Sequence, residues 1–446
     1  MKRLNTSYRQ IVSISLPIML GSAVQNVIAL TDSVFLYHVS ESDFAAIGLV
    51  GVFYLIIAAI GYSFSKGGQI IIARRAGEQR PGQVGRTFYA LLYFALGLAG
   101  IMFCFMQYGG RPFFDTFVQS EVIFEKCIAY LEPRSYGVFF SYVGVCIIAL
   151  YTGVARTSFI VIDTVILAVV NILLNYGLIY GKWGLPEMGI AGAGLASTIA
   201  EAVAFVVFAV YILFDRKART YHLFRLPRVD LKLIVRIFKL SGPVVVQTIV
   251  GLGSWFVFFT FIEGMGERAL AISNLARMVY LVLSIPCWGY ASGINTLVSN
   301  FIGMQKRQVV VPIIWKTAKI TLATTMAIAL PIILFPTFFL YPLLGGGDMT
   351  LIQEARPVLY ILLVILVMFS FGGIYFNGLS GTGATRQALY IQLAATLLYV
   401  LYTFVVVKVL QLNLVWVWSV EIAYWAVALS LTTWYLWSRR WYGTVV

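Results

Sequence analysis

Apolar runs long enough to be bilayer helices recur almost without interruption from Ile11 to Trp437, separated by short polar connections. A transmembrane helix needs about 20 mostly apolar residues, whereas a barrel strand needs about half that. Lipid offers the backbone no hydrogen-bond partners, so spans of this length must be helical. The pattern predicts twelve, at roughly 11–36, 48–73, 87–107, 129–152, 161–181, 191–214, 237–262, 271–302, 313–341, 355–378, 389–408 and 415–437. The expected fold is an all-α membrane protein. Lys2, Arg3 and Arg9 flank the first run, which lacks a small-residue cleavage site after a short apolar core and is expected to be a retained helix.

The pattern also repeats. A shift of 226 residues brings Ser15, Pro17, Phe35 and Ala45 onto Ser241, Pro243, Phe261 and Ala271. The same shift carries Leu49, Tyr54, Leu55, Gly67, Gly77 and Gln79 onto Leu275, Tyr280, Leu281, Gly293, Gly303 and Gln305. Shared hydrophobicity alone would not align a proline and two glycines in one ungapped register. Each half holds six spans, an even number, so the halves share one membrane orientation. That is a parallel duplication about an axis along the membrane normal. The expected domains are a six-helix bundle with the start of a linker in 1–220, and the rest of the linker with a second six-helix bundle in 221–446.

Composition agrees with this reading. Of 446 residues, 60% are hydrophobic and 11% charged, against about a quarter charged in ordinary soluble domains. The net charge of +14 follows from topology, because most Lys and Arg fall in the connections that face inward when both termini are cytoplasmic. Nucleic acid is therefore not an expected partner. The densest basic stretch, Asp215–Lys239, is expected to be a solvated linker between the halves.

Several kinds of chemistry find no support. Cys104, Cys127, Cys146 and Cys287 have neither metal-type nor redox-type spacing, and His38 and His222 stand far apart. No GxxxxGK[ST] loop is present, and no cluster suits a membrane-embedded enzyme. The protein is expected not to be an enzyme and to need no cofactor beyond a coupling ion. Its energy source is expected to be an ion gradient or a partner protein.

The segment LPIMLGSAVQNVIALTDSVFL, followed by Ala45-Ala46-Ile47-Gly48, resembles the first span of multidrug and toxic compound extrusion (MATE) transporters. The end of the second span, GGQIIIARRAGEQ, and VNILLNYGLIYGKWGLPEMGIAGAGLAST across spans five and six are similar as well. The resemblance covers essentially the whole chain. It implies a V-shaped pair of bundles in the inner membrane that exports amphipathic, drug-like compounds in exchange for protons or sodium ions.

An ionisable side chain inside a span is costly, so each one is a candidate for function. Asp32, Lys66, Arg134, Asp163, Glu201, Arg277 and Glu421 qualify. At about 1.5 Å rise per residue, Asp32, Asn171, Asn175, Ser197 and Glu201 fall in one layer of the outer half of the first bundle. Asn171 with Asn175, and Ser197 with Glu201, share helix faces at i,i+4. Gln25 shares the Asp32 face at i,i+7. Loss of hydration disfavours the charged form of a carboxylate, so an acid among amides and hydroxyls can take up and release a proton; the same oxygens also suit a hard cation. By resemblance, Asp32 matches the family's functional acid of the first span and Asn171 its span-five asparagine. Ser197 stands where many relatives have threonine. Asn175 departs from the pattern, since many relatives carry a second aspartate there, and protons are accordingly expected ahead of sodium.

Other expectations compete or add to this. Asp32 could instead pair with Arg134, and Lys66 with Asp163. Glu421 loosely corresponds to Glu201 in span twelve. Spans seven and ten lack an acid, leaving Gln247 and Asn377 as possible cleft polar residues, so coupling through the second bundle alone is not expected. Pro17 offers span one a bend point, because proline removes a backbone hydrogen bond and crowds the preceding turn. The alternative function is a flippase for a lipid-linked saccharide. The expected partners are a small-molecule substrate and the bilayer, with the protein a monomer.

Overall fold

The structure is a computed structural model that describes residues 4–341 and 349–444, apart from the side chains at 25–27, 29, 30 and 117. Long helices dominate it. They are α1 (Tyr8–Tyr37), α2 (Glu41–Gly77), α3 (Pro81–Cys104), α4 (Glu121–Gly153), α5 (Ser158–Tyr180) and α6 (Gly189–Phe214) in the first half. The second half has α7 (Leu231–Glu263), α8 (Glu267–Leu283), α9 (Ile285–Gly303), α10 (Val310–Leu334), α11 (Met349–Gly381), α12 (Thr385–Phe404) and α13 (Val420–Trp437).

Local chemistry sets several of the boundaries. Ser40 Oγ accepts the Asp43 amide at 3.0 Å and so caps α2. Pro81 opens α3, where a missing N–H leaves nothing unsatisfied. Gly181, at φ 63°, takes the left-handed conformation that closes α5.

Among the described residues ten helical stretches are long and apolar enough to cross a membrane, and α8 with α9 make an eleventh, bent by 43°. With the 30-residue α1 this matches the twelve predicted spans. The eighth span was expected as one helix over 271–302; it breaks at Ser284 instead. Pro286 lies in the first turn of α9, and its ring and missing N–H oppose continuation from α8. Large apolar side chains such as Ile101, Phe256 and Leu397 stay exposed, as hydrocarbon surroundings allow.

The chain forms two compact units, Leu20–Val245 and Met1–Met19 with Val246–Val446. The crossings thus lie at 19/20 and 245/246 rather than at the expected 220/221. Each follows just after one of the repeat-related prolines, Pro17 in α1 and Pro243 in α7.

In the Leu20–Val245 unit α4 is central, packing on α2, α3 and α6, while α5 packs on α6. The linker is mostly exposed, as expected, and a few of its residues anchor it to this unit. Ala218, Tyr221 and Leu223 are buried, Tyr89 OH donates to Leu223 O, and Tyr93 OH donates to Pro227 O at 3.0 Å. Gly85 lies directly against Tyr221 O, where a Cβ would collide. In the second unit α11 is central, packing on α9, α10 and α13. Its core includes Phe258, Leu362, Ile365, Phe369, Tyr399 and Trp418.

The repeat is visible in the packing. A Cβ on Gly67 would collide with Ser241 Oγ in one unit, and a Cβ on Gly293 with Ser15 Oγ in the other. These four residues are two pairs of repeat mates, so both units use the same close helix approach.

Candidate ion-coupling site

Asp32, Asn171, Asn175 and Ser197 meet inside the Leu20–Val245 unit, brought there by α1, α5 and α6. Asn175 Nδ2 donates to Asp32 Oδ1, and also to Asn171 Oδ1 at 3.1 Å. Asn171 Nδ2 donates in turn to Ser197 Oγ at 3.0 Å. All four side chains are buried, Asn175 completely and Asp32 to 9% exposure. The i,i+4 spacing of the asparagines makes this chain of bonds possible, because it stacks both amides on one face of α5.

Among the described residues Asn175 Oδ1 is buried with no hydrogen-bond partner. A buried acceptor without a donor is costly, so this oxygen is open to a hydrogen bond from a further donor. Asn171 Oδ1 and Ser197 Oγ are already acceptors within the chain.

Glu201 was expected in the same group; it is paired with Arg134 rather than bonded into this chain of hydrogen bonds. Its Oε2 and Oε1 accept from Arg134 Nη1 and Nη2 at 2.8 and 2.6 Å, a two-pronged pair whose side chains are 15% and 7% exposed. The fork of a guanidinium matches a carboxylate in this way, which explains the preference. The guanidinium also sits 3.9 Å over the Tyr54 ring. Arg134 is therefore engaged, and the alternative pairing with Asp32 is not formed among the described residues.

Sequence reasoning missed what makes room for this pair. A Cβ on Gly137 would strike Arg134 Nη1 and come within 2.8 Å of Glu201 Oε2 and 2.9 Å of Thr198 Oγ1. Thr198 Oγ1 itself donates to Pro133 O at 2.9 Å. The available signal was a glycine three residues after an intramembrane arginine, on the same helix face.

Other expectations fare differently. Gln25 lies outside the described residues. Gln247 is buried and donates to Thr385 O at 3.1 Å, so its amide serves helix packing. Asn377 donates to Gly373 O at 3.0 Å, one turn back in its own helix. Among the described residues Lys66 and Asp163 do not pair: Lys66 Nζ lies 5.2 Å from the Tyr62 ring centre, whose face attracts a cation, and Asp163 Oδ1 is buried without a hydrogen-bond partner. Pro17 lies inside α1, which continues through it.

Two stretches, residues 17–177 and 243–405, match the MatE family model. The chain belongs to this family. The two matched stretches of this MATE protein follow the internal repeat, one in each half. It is 24% identical over 304 residues to a Synechocystis protein named "Probable multidrug resistance protein NorM", covering 67% of this chain and 64% of that protein. The chain thus spans under two thirds of that relative's length. A Thermotoga maritima protein of the same name is 23% identical over 419 residues, covering 93% of this chain and 89% of the relative. Among solved structures, an outward-facing multidrug resistance MATE family transporter of the MOP superfamily superposes with a TM-score of 0.87 at 20% identity. It covers 97% of this chain and 96% of that one, and supports the twelve-helix fold.

Proposed function

We propose that this MATE protein exports small amphipathic molecules across the cytoplasmic membrane in exchange for protons, with Asp32 as the carboxylate that takes up and releases the proton. The carrying observation is that Asp32 is buried against a neutral amide while the nearby arginine is held by Glu201. A carboxylate clamped by a cation would stay charged; one hydrogen-bonded to Asn175 rather than to an arginine can change its occupancy.

The names of the relatives support export of drugs as the transport activity. The clustering of Lys and Arg in alternate connections supports termini that face the cytoplasm. Pro17, near the crossing of α1 between units, supplies the place where that helix can respond to Asp32.

The test is flux of a fluorescent lipophilic cation in vesicles containing the purified protein. An imposed pH gradient should drive it, an imposed sodium gradient should not, and Asp32→Asn should lose the pH-driven component while remaining folded. Equal flux in Asp32→Asn would overturn the reading.

A further inference from the structure

The Val246–Val446 part of the chain holds a carboxylate that exchange at Asp32 does not use. Glu421, 4% exposed, stands in the first turn of α13. Its Oε1 accepts from Trp255 Nε1 of α7 at 3.2 Å and from Tyr399 OH of α12 at 3.1 Å.

The surroundings are aromatic and neutral. Trp255 stacks on Tyr280 of α8 with centroids 5.9 Å apart, and Tyr399 meets the edge of Tyr424. From α11, Phe369 stacks at 4.5 Å on Trp425, one turn beyond Glu421. The titratable groups facing this carboxylate are thus the phenols of Tyr280, Tyr399 and Tyr424, with the Cys287 thiol of α9 behind Tyr280. Phenols and thiols are ordinarily uncharged at neutral pH. Arg277 of α8 lies 4.9 Å from the Phe259 ring centre. Among the described residues Glu421 makes no ion pair.

The repeat sharpens the contrast. Tyr54 and Tyr280 are repeat mates; Tyr54 lies under the arginine that neutralises Glu201, whereas Tyr280 lies beside a glutamate that no arginine joins. Neutral donors orient a buried carboxylate but do not cancel its charge, and an unpaired buried charge is unfavourable. Both of these hydrogen bonds fall on Oε1, so a proton can sit on Oε2 while Oε1 keeps them as the carbonyl oxygen.

We propose that Glu421 is a second proton-binding site, housed with α7, α8, α12 and α13, that exchanges its proton independently of Asp32. Trp255 and Tyr399 hold the acid in place and register whether the proton is present. Coupling in this protein then draws on a carboxylate in each half of the repeat.

Infrared difference spectroscopy of the full chain in lipid, stepped between acidic and alkaline pH, tests this through the carboxylic-acid carbonyl band. The expected result is a pH-dependent band that vanishes in Glu421→Gln and persists in Asp32→Asn. Trp255→Phe, which removes one hydrogen bond from Oε1, should move that band and its midpoint. The proposal is overturned if Glu421→Gln leaves the spectrum unchanged, or if every pH-dependent carboxyl band disappears with Asp32 alone. Should Glu421→Gln fail to fold, Trp255→Phe decides: a band unmoved in position and midpoint overturns the assignment.

Discussion

Arg134 commits both terminal guanidinium nitrogens to Glu201, at 2.8 and 2.6 Å, and so leaves Asp32 facing an amide rather than a cation. The buried pair is structural in itself, yet it decides what Asp32 can do. An arginine released from Glu201 would have a second carboxylate within electrostatic reach.

Glu201→Ala should therefore cost more than a lost contact. It strands a buried guanidinium, and breaking such a pair typically destabilises by about 3–5 kcal/mol. Replacing both partners with apolar residues of similar volume should cost much less. Thermal unfolding of the single and double variants in detergent measures the difference. Glu201→Gln should also lose pH-driven flux although Asp32 is intact, as Arg134 turns toward it.

Gly137→Ala should destabilise by about 1–3 kcal/mol, the usual cost of overpacking. The added methyl meets Arg134, Glu201 and Thr198, and none of these can withdraw without giving up a buried polar contact. Gly144→Ala, on the same helix with open space around it, is the control and should change little. The shift in unfolding temperature of the two variants checks this.

How much of this could be read from the sequence depended on whether the relevant contacts were local. The asparagine pair was legible because i,i+4 spacing fixes a shared helix face whatever the surroundings. The repeat was legible too, and Ser15 with Gly293 and Ser241 with Gly67 carry it into the packing. The partner of Glu201 was not legible, because Arg134 sits 67 positions away on another helix while Ser197 shares its face. The crossings after Pro17 and Pro243 were invisible for the same reason: which unit a half-helix joins depends on tertiary packing. Gln247 shows the limit of polarity as a guide, since a buried amide can serve a backbone carbonyl as readily as a ligand.

Outside the membrane the clearest pH effect belongs to Asp215, which follows α6. Its burial opposes the charged form, but Arg156 bonds at 2.5 and 3.1 Å and the Lys217 amide at 3.1 Å hold its carboxyl below the ordinary value. A depressed acid contributes stability above its unfolded value of about 3.9, and loses it as pH falls through the folded value. Asp215→Asn should accordingly lower the unfolding temperature at neutral pH and converge with wild type in strong acid. A gap that stayed constant with pH would contradict this account of the pair.

Pro17→Ala should restore a backbone donor within α1 and stiffen the helix just before it crosses between units. Flux driven by a pH gradient should fall while substrate binding at equilibrium is retained. Full flux in this variant would remove Pro17 from the mechanism.

The most direct measurement is the proton released when the solubilised protein binds tetraphenylphosphonium in weak buffer. If Asp32 carries an exchangeable proton, wild type should acidify the medium on binding in the pH range where free Asp32 is protonated, and Asp32→Asn should release distinctly less there. The same release from both proteins would contradict the central claim, since the proton would then come from somewhere other than Asp32.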